Sequence, residues 1–320
     1  MHSSAETDPW LGATALSRPE LSVRVGGLSL GHPVMNASGI LGYLPEHADI
    51  IASWGVSAIV SKTFTKEPRA GHSPPIVVKV RYYSLLNAVG LANPGIGGIG
   101  LFVKRARTYG VPVVVSVGGS RLPEYAEVAE EAERCGASAV ELNLGCPNVE
   151  RGGIEVGRDP AQVFRVVKDA SSVVRIPIVV KLGVSDRLVD SAAKAMEGGA
   201  RALTLINTVR GMSIDVYSLK PVLSNISGGL SGASIHPIAV WAVYSVFREI
   251  PADIIGVGGV LTWKDAAELI LAGARAVQVG TAIVYRGPNV VRSIVKGLRS
   301  WVRRLGVKSI AELSGAAHKA

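Results

Sequence analysis

The sequence predicts an α/β fold, a (β/α)8 TIM barrel with long βα loops capping its C-terminal face. Short β-branched apolar runs recur eight times, and segments of helical periodicity fall between them. The competing doubly wound sheet is disfavoured, because no strand–GxGxxG–helix unit with a downstream acidic residue occurs.

The expected strands are, in order, 33–38 (PVMNAS), 57–62 (SAIVSK), 112–117 (PVVVSV), 139–144 (AVELNL), 177–182 (PIVVKL), 202–207 (ALTLIN), 252–257 (ADIIGV) and 276–280 (AVQVG). Two intervening helices are marked at both ends. One covers 122–135, with Pro123 near its start and Gly136 beyond its end; the other covers 262–272, with Thr262 as N-cap and Gly273 closing it. Three connections that follow strands are long: 63–95, 145–159 and 208–233. In this fold all three leave the C-terminal face, where active sites sit and where loops of that length serve as lids. Residues 1–20 read as a surface-draped N-terminal extension, 21–312 as the barrel and 313–320 as a C-terminal tail.

Composition narrows the function classes. The chain has 320 residues, 48% of them hydrophobic, enough for one large core. No apolar run approaches the roughly 18 residues needed to cross a bilayer, and no signal peptide opens the chain, so a cytoplasmic protein without a membrane partner is expected. Cys135 and Cys146 form neither a disulfide framework nor a zinc-spacing motif; both are expected as free thiols, with no metal. A net charge of +9 invites nucleic acid, but the basic residues are scattered. Their densest cluster, Lys296, Arg299, Arg303 and Arg304, has the spacing of one exposed helical face, and no nucleic-acid partner is expected. Glutamine occurs only at Gln162 and Gln278, a scarcity of thermolabile amides that hints at a hot environment.

Chemistry concentrates where the strands end. In ELNLGCPN (141–148), Leu142 and Leu144 continue the buried spacing of Val140, while Asn143 interrupts it from the other side. Gly145, Cys146 and Pro147 then turn the chain, and Asn148 supplies a second amide. The thiol is either a buried structural cysteine or a reactive atom flanked by substrate grips. Asn36 and Ser38 end the first strand, Lys62 and Thr63 the second, Ser116 the third, Lys181 the fifth, and Asn207 and Thr208 the sixth. Lysines ending two buried strands point to an anionic ligand; the competing reading is a structural ion pair with a barrel acid such as Glu141. GVGGV (256–260) and VGTA (279–282), after the seventh and eighth strands, let backbone N–H groups approach a phosphate.

These residues resemble the first class of dihydroorotate dehydrogenases over about residues 22–312. The motifs are NASG (36–39), SKTFTKEPRAG (61–71), NAVGLANPG (87–95), ELNLGCPN (141–148), INT (206–208), GGLSGASIHP (228–237), GVGGV (256–260) and VQVGTA (277–282). The resemblance implies one noncovalent FMN per chain, lined by Ser38, Lys62, Thr63, Ser116, Asn143, Lys181, Ile206, Gly232, Gly258, Gly259, Gly280 and Thr281. It implies dihydroorotate held by Lys62, Asn87, Gly90, Leu91, Asn143, Asn148, Asn207 and Thr208. Cys146 matches the family's base, which removes the C5 proton while the C6 hydride passes to FMN N5, giving orotate for UMP synthesis.

The segment 207–232 is similar to that of the NAD-linked subclass. There, a separate iron–sulfur flavoprotein subunit carrying FAD and a [2Fe–2S] cluster takes the electrons to NAD+, and a catalytic homodimer forms the core of a heterotetramer. A fumarate-using or other-acceptor enzyme of the first class is the alternative. Membrane-linked relatives of the second class carry serine at the base position. Gly145, His72 and Ser116 depart from the family's usual serine, asparagine and asparagine. Gly145-Cys146-Pro147 is also similar to tRNA dihydrouridine synthases, but their HGR-like element is missing and the barrel pattern ends near 304. A phosphate-ligand-binding barrel without catalysis is the remaining rival.

Overall fold

The computed structural model describes residues 20–145 and 154–319. Among them, eight parallel strands form the barrel wall: β1 (Val34–Asn36), β2 (Ile59–Val60), β3 (Val113–Val117), β4 (Ala139–Asn143), β5 (Ile178–Leu182), β6 (Ala202–Leu205), β7 (Ile254–Val257) and β8 (Ala276–Val279). They hydrogen-bond in the order β1-β8-β7-β6-β5-β4-β3-β2. The register sets Asn143 beside Lys181 across β4 and β5, and Asn36 beside Val279 across β1 and β8.

No ladder joins β1 to β2. Side chains close this seam instead. Asn36 Nδ2 donates to the Val60 carbonyl (2.7 Å) and its Oδ1 accepts from the Val60 N–H (2.9 Å), while the Ser57 N–H and hydroxyl both donate to the Val34 carbonyl (3.0 and 2.9 Å). All eight expected strands are present. The runs 33–38 and 57–62 contract most, because they flank the seam where Asn36 replaces the backbone ladder. The order and direction of the strands give the (β/α)8 barrel expected from the sequence.

A main helix follows each strand: α1 (Pro45–Ser53), α2 (Ile99–Ala106), α3 (Leu122–Arg134), α4 (Pro160–Val173), α5 (Leu188–Glu197), α6 (His236–Glu249), α7 (Trp263–Ala272) and α8 (Val290–Arg304), with a shorter helix, Thr281–Arg286, between the last strand and α8. Each turns an apolar stripe to the wall. In α3 the stripe is Tyr125, Val128, Ala129 and Ala132, the helical i, i+3, i+4, i+7 spacing. In α7, Thr262 caps the helix by accepting from the Lys264 N–H, Asp265 completes a capping box, and Gly273 ends the helix. On α8, Lys296, Arg303 and Arg304 face solvent opposite buried Val291, Ile294, Leu298 and Val302, whereas Arg299 is half-buried.

Two of the three long connections build structure together. Val77–Val80 and Ser84–Asn87 pair with Gly228–Gly232 and Val209–Gly211 in a four-stranded antiparallel sheet over the C-terminal face. This cap has its own small core of Leu86, Ala88 and Leu223, with Val78, Val80, Val222 and Leu230 packed on it. In the third connection, a short helix spans Ile154–Arg158.

At the opposite end, a hairpin of Val23–Val25 and Leu28–Leu30 buries alternate residues against the barrel, and its Gly26 N–H donates to Asp253 (2.8 Å). Residues 310–318 pack on α6 and α7: Ile310 and Leu313 are buried, the Gly315 N–H donates to the Ile270 carbonyl (3.0 Å), and His318 stacks on Tyr244.

Candidate active site

The strand ends and the cap sheet enclose a cavity of about 340 Å³, within the size range of small-molecule sites. It is lined from every side that the sequence singled out. Ser38, Lys62 and Thr63 come from the ends of β1 and β2, Asn143 from β4, Lys181 from β5, and Ile206, Asn207 and Thr208 from β6. The cap contributes Asn87, Gly90, Leu91 and Gly232, and the β7 and β8 ends contribute Gly258, Gly259, Gly280 and Thr281.

Ser116 is placed differently from expectation. It is fully buried beside Thr63, on the same side of the sheet as Glu141, with its hydroxyl on Thr63 (3.0 Å) and its N–H donating to the Ser61 hydroxyl (2.8 Å), and it is not among the lining residues. It supports a cavity residue and does not face the cavity. Cys146 and Asn148 lie outside the described residues. The other thiol, Cys135, donates to the Glu131 carboxylate (3.2 Å); burial and that carboxylate push its pKa up to about 11, so it is a packed thiol and not a nucleophile.

Four polar side chains and one backbone N–H form one relay along the β3, β2, β4 and β6 ends. Ser116 meets Thr63; Asn143 Nδ2 donates to Thr63 Oγ1 (3.0 Å); Asn207 Nδ2 donates to Asn143 Oδ1 (2.8 Å); and the Thr208 N–H donates to Asn207 Oδ1 (2.8 Å). Each amide is oriented by the next, which fixes the donors and acceptors facing a ligand. Lys62, beside this relay, lies 5.1 Å from the centre of the Tyr43 ring, and burial lowers its pKa. Among the described residues no carboxylate pairs with it, so its charge is available to an anionic ligand.

Lys181 satisfies both readings of a strand-end lysine at once. It lines the cavity, and its ammonium lies 3.7 Å from buried Glu141 and donates to Gln278 Oε1 (3.2 Å). Gln278 also lines the cavity, a position the sequence reading missed. Its signal was available: a glutamine inside the apolar run AVQVG, in a chain with one other glutamine.

The opposite wall is a backbone cradle. Gly259 has φ +69°, and a Cβ there would lie 2.5 Å from His236 Cβ and 2.9 Å from the Gly232 carbonyl; at Gly258 (φ +137°) it would lie 2.6 Å from Ala239 Cβ. Only glycine lets the chain run this close to its neighbours and still line the cavity with backbone. Nearby, the Ser38 hydroxyl is buried and has no partner among the described residues. A glycine cradle, an orphaned hydroxyl and a buried lysine with a neighbouring amide fit a phosphate-bearing heteroaromatic cofactor, and the apolar walls from Ile206, Val257 and Leu261 fit its ring.

Comparison with known proteins agrees with this geometry. The family described as dihydroorotate dehydrogenase matches residues 20–302. An Aeropyrum pernix protein assigned as dihydroorotate dehydrogenase A (fumarate) is 50% identical over 95% of this chain and 99% of its own. The NAD(+) dihydroorotate dehydrogenase B catalytic subunits of Desulforudis audaxviator and Pyrococcus furiosus are each 40% identical, over 93% of this chain and 97% and 99% of theirs. In fold, the chain is similar to the Eimeria tenella enzyme solved with ferulenol, with a TM-score of 0.81 at 23% identity over 95% of this chain and 91% of that one. No described helix is long and apolar enough to cross a membrane. A family match spanning the whole barrel, with relatives of this identity and coverage, makes the chain a member of the dihydroorotate dehydrogenase family, oxidoreductases that in general depend on FMN.

Proposed function

We propose that this chain holds FMN in the cavity described above and oxidises dihydroorotate to orotate there, with Cys146 as the base. The observation that carries this reading is the convergence of the Thr63–Asn143–Asn207–Thr208 relay, the Lys62 ammonium, which has no carboxylate partner among the described residues, and the Gly258–Gly259 cradle on one cavity. FMN, when bound, supplies the acceptor for the hydride that leaves C6.

The chain's own groups do the rest. Lys62 pairs with the substrate carboxylate, and the oriented amides of Asn143 and Asn207 take the imide edges, joined by Asn87, the backbone at Gly90 and Leu91, Thr208 and Asn148. The Cys146 thiolate removes the C5 proton; the C5–H bonding pair becomes the C5=C6 π bond as the C6–H pair departs with the hydride. The backbone at Gly258, Gly259, Gly280 and Thr281 holds the phosphate, while Ser38, Lys181 and Ile206 bound the ring site.

Anaerobic addition of dihydroorotate to the yellow protein is expected to bleach the flavin. Cys146→Ala is expected to retain FMN and lose turnover by 10²-fold or more, the order of a missing general base. Near-normal turnover in that variant would remove the base assignment, and an unbleached flavin would remove the activity.

The electrons then leave by one of two routes. The 207–232 segment and the relatives named NAD(+) catalytic subunits support a partner iron–sulfur flavoprotein subunit with FAD and a [2Fe–2S] cluster, around a homodimer of this chain. The relative at 50% identity, named for fumarate, supports direct reduction of fumarate instead. Turnover of the purified chain with fumarate alone, against NAD+ with the partner subunit added, separates the two.

A further inference from the structure

Four side chains from four strands form a closed polar group at the base of the cavity: Glu141 (β4), Lys181 (β5), Thr204 (β6) and Gln278 (β8). Glu141 is 0% exposed, so no bulk water solvates its charge. Its Oε2 accepts from Gln278 Nε2 (2.7 Å) and from the Thr204 hydroxyl (3.0 Å). Its Oε1 has no hydrogen-bond partner among the described residues and faces only the Lys181 ammonium, 3.7 Å away. Gln278 bridges the two charges, donating to Glu141 and accepting from Lys181 (3.2 Å).

A buried carboxylate of this kind stands only if a cation answers it, and Lys181 is that cation. Lys181 also lines the cavity, so the charge a cofactor meets there is that of the pair and not of a free lysine. The pair is neutral overall.

We infer that Glu141 is a positioning residue that cancels the Lys181 charge at the cavity wall and thereby holds down the reduction potential of bound FMN. The inference rests on the reading of the cavity as an FMN site. A net positive wall favours the electron-rich reduced flavin, and a neutral one favours it less. The Glu141 carboxylate therefore keeps the electrons transferable to the next acceptor. Gln278 fixes the geometry of the pair, since among the described residues its amide is the only group joined by hydrogen bonds to both.

The test is the two-electron potential of the FMN-loaded protein, read by anaerobic dithionite titration against a reference dye. Glu141→Gln removes the carboxylate at constant volume. The expected result is a shift of the reduction equilibrium toward reduced flavin by at least about tenfold, the scale of one uncompensated charge at an effective dielectric near 20; for a two-electron couple that is about 30 mV upward. Glu141→Asp keeps a carboxylate opposite Lys181 and is expected to leave the potential near the wild-type value. The exchanged double variant Glu141→Gln/Gln278→Glu restores one carboxylate and is expected to return toward the wild-type value. A merely structural role would change flavin retention or melting temperature without this dependence on the carboxylate charge.

A Glu141→Gln potential at or below wild type overturns the inference. If that variant fails to fold, Glu141→Ser decides: an upward shift supports the inference and an unchanged potential overturns it. Because dithionite does the reducing, the outcome is separate from substrate oxidation. FMN that binds but is not bleached by dihydroorotate defeats the proposed activity and leaves this titration valid, whereas a Glu141→Gln protein at the wild-type potential defeats this inference alone.

Discussion

Asn36 meets Val60 with both ends of its side-chain amide, 2.7 Å to the carbonyl and 2.9 Å from the N–H, and so replaces a backbone ladder between β1 and β2. Both residues are fully buried, so truncating the amide leaves a backbone donor and acceptor without water or partner. Asn36→Ala is expected to destabilise the barrel by about 2–6 kcal/mol, from two buried groups left unpaired at ~1–3 kcal/mol each. Thermal unfolding checks it. Retention of wild-type stability would show that the seam does not depend on this side chain.

Gly145 stands where serine is common in the family, and its surroundings account for the difference. A Cβ at 145 would lie 2.6 Å from the Gly183 backbone nitrogen, 2.7 Å from Asn207 Cβ and 2.9 Å from the Leu182 carbonyl carbon. Two of the three are backbone atoms of the β5 end, and the third carries the relay amide. Gly145→Ser is therefore expected to cost about 1–3 kcal/mol in stability by overpacking. It is also expected to raise KM for dihydroorotate several-fold by displacing Asn207. Steady-state kinetics beside a melting curve would show both; a serine variant with unchanged KM would mean that Asn207 does not grip the substrate.

The barrel was legible because its eight strands are compact apolar runs whose burial needs no distant partner to be inferred. Most of the cavity was legible for the complementary reason: Lys62, Lys181, Asn143 and Asn207 are polar residues closing apolar runs. The cap sheet was not legible. Val77–Val80 alternates exposed and half-buried residues, and Gly228–Gly232 contains three glycines, so neither segment shows a strand pattern before the two long connections meet. The floor hairpin was missed because Val23–Val25 and Leu28–Leu30 are three-residue strands, too short to carry a period. Ser116 looked like a ligand contact, and Asn36 only like a polar strand end, because sequence shows a polar residue at a strand end without showing which way it turns. Asn36 turns across the seam and Ser116 turns toward Thr63.

Two histidines predict how stability responds to acid. His32 Nε2 donates to the Gly55 carbonyl (3.0 Å) and its Nδ1 accepts from the Val34 N–H (3.2 Å), which requires a neutral ring. Burial holds its pKa below the ordinary 6.5, and burial does the same to His47, whose Nδ1 faces the N–H groups of Gly42, Tyr43 and Leu44. With both pKa values lowered on folding, the unfolded chain takes up protons first as the pH drops. The stability these residues contribute is then complete above about pH 6.5 and is lost as the pH falls below it toward the lowered folded values. The melting temperature is expected to be flat across the neutral range and to decline in the acid range, with a shallower decline in His32→Gln. A decline of equal steepness in that variant would assign the acid sensitivity elsewhere.

Lys62 predicts the alkaline limit of ligand binding. Burial lowers its pKa from the ordinary lysine value of 10.5, and among the described residues no carboxylate opposes that shift. The free protein therefore loses the Lys62 charge at a lower pH than an exposed lysine would, and affinity for an anionic ligand falls with it. Orotate binding, followed through the flavin spectrum, is expected to be constant near neutrality and to weaken as the pH rises through the lowered Lys62 value. Lys62→Met removes the charge at every pH; its orotate affinity is expected to be at least about tenfold weaker, from a charge-assisted hydrogen bond of ~1.5–3 kcal/mol, with no alkaline step in this range. An alkaline step that survives in Lys62→Met would assign the titration to another group and leave the substrate carboxylate without its proposed partner.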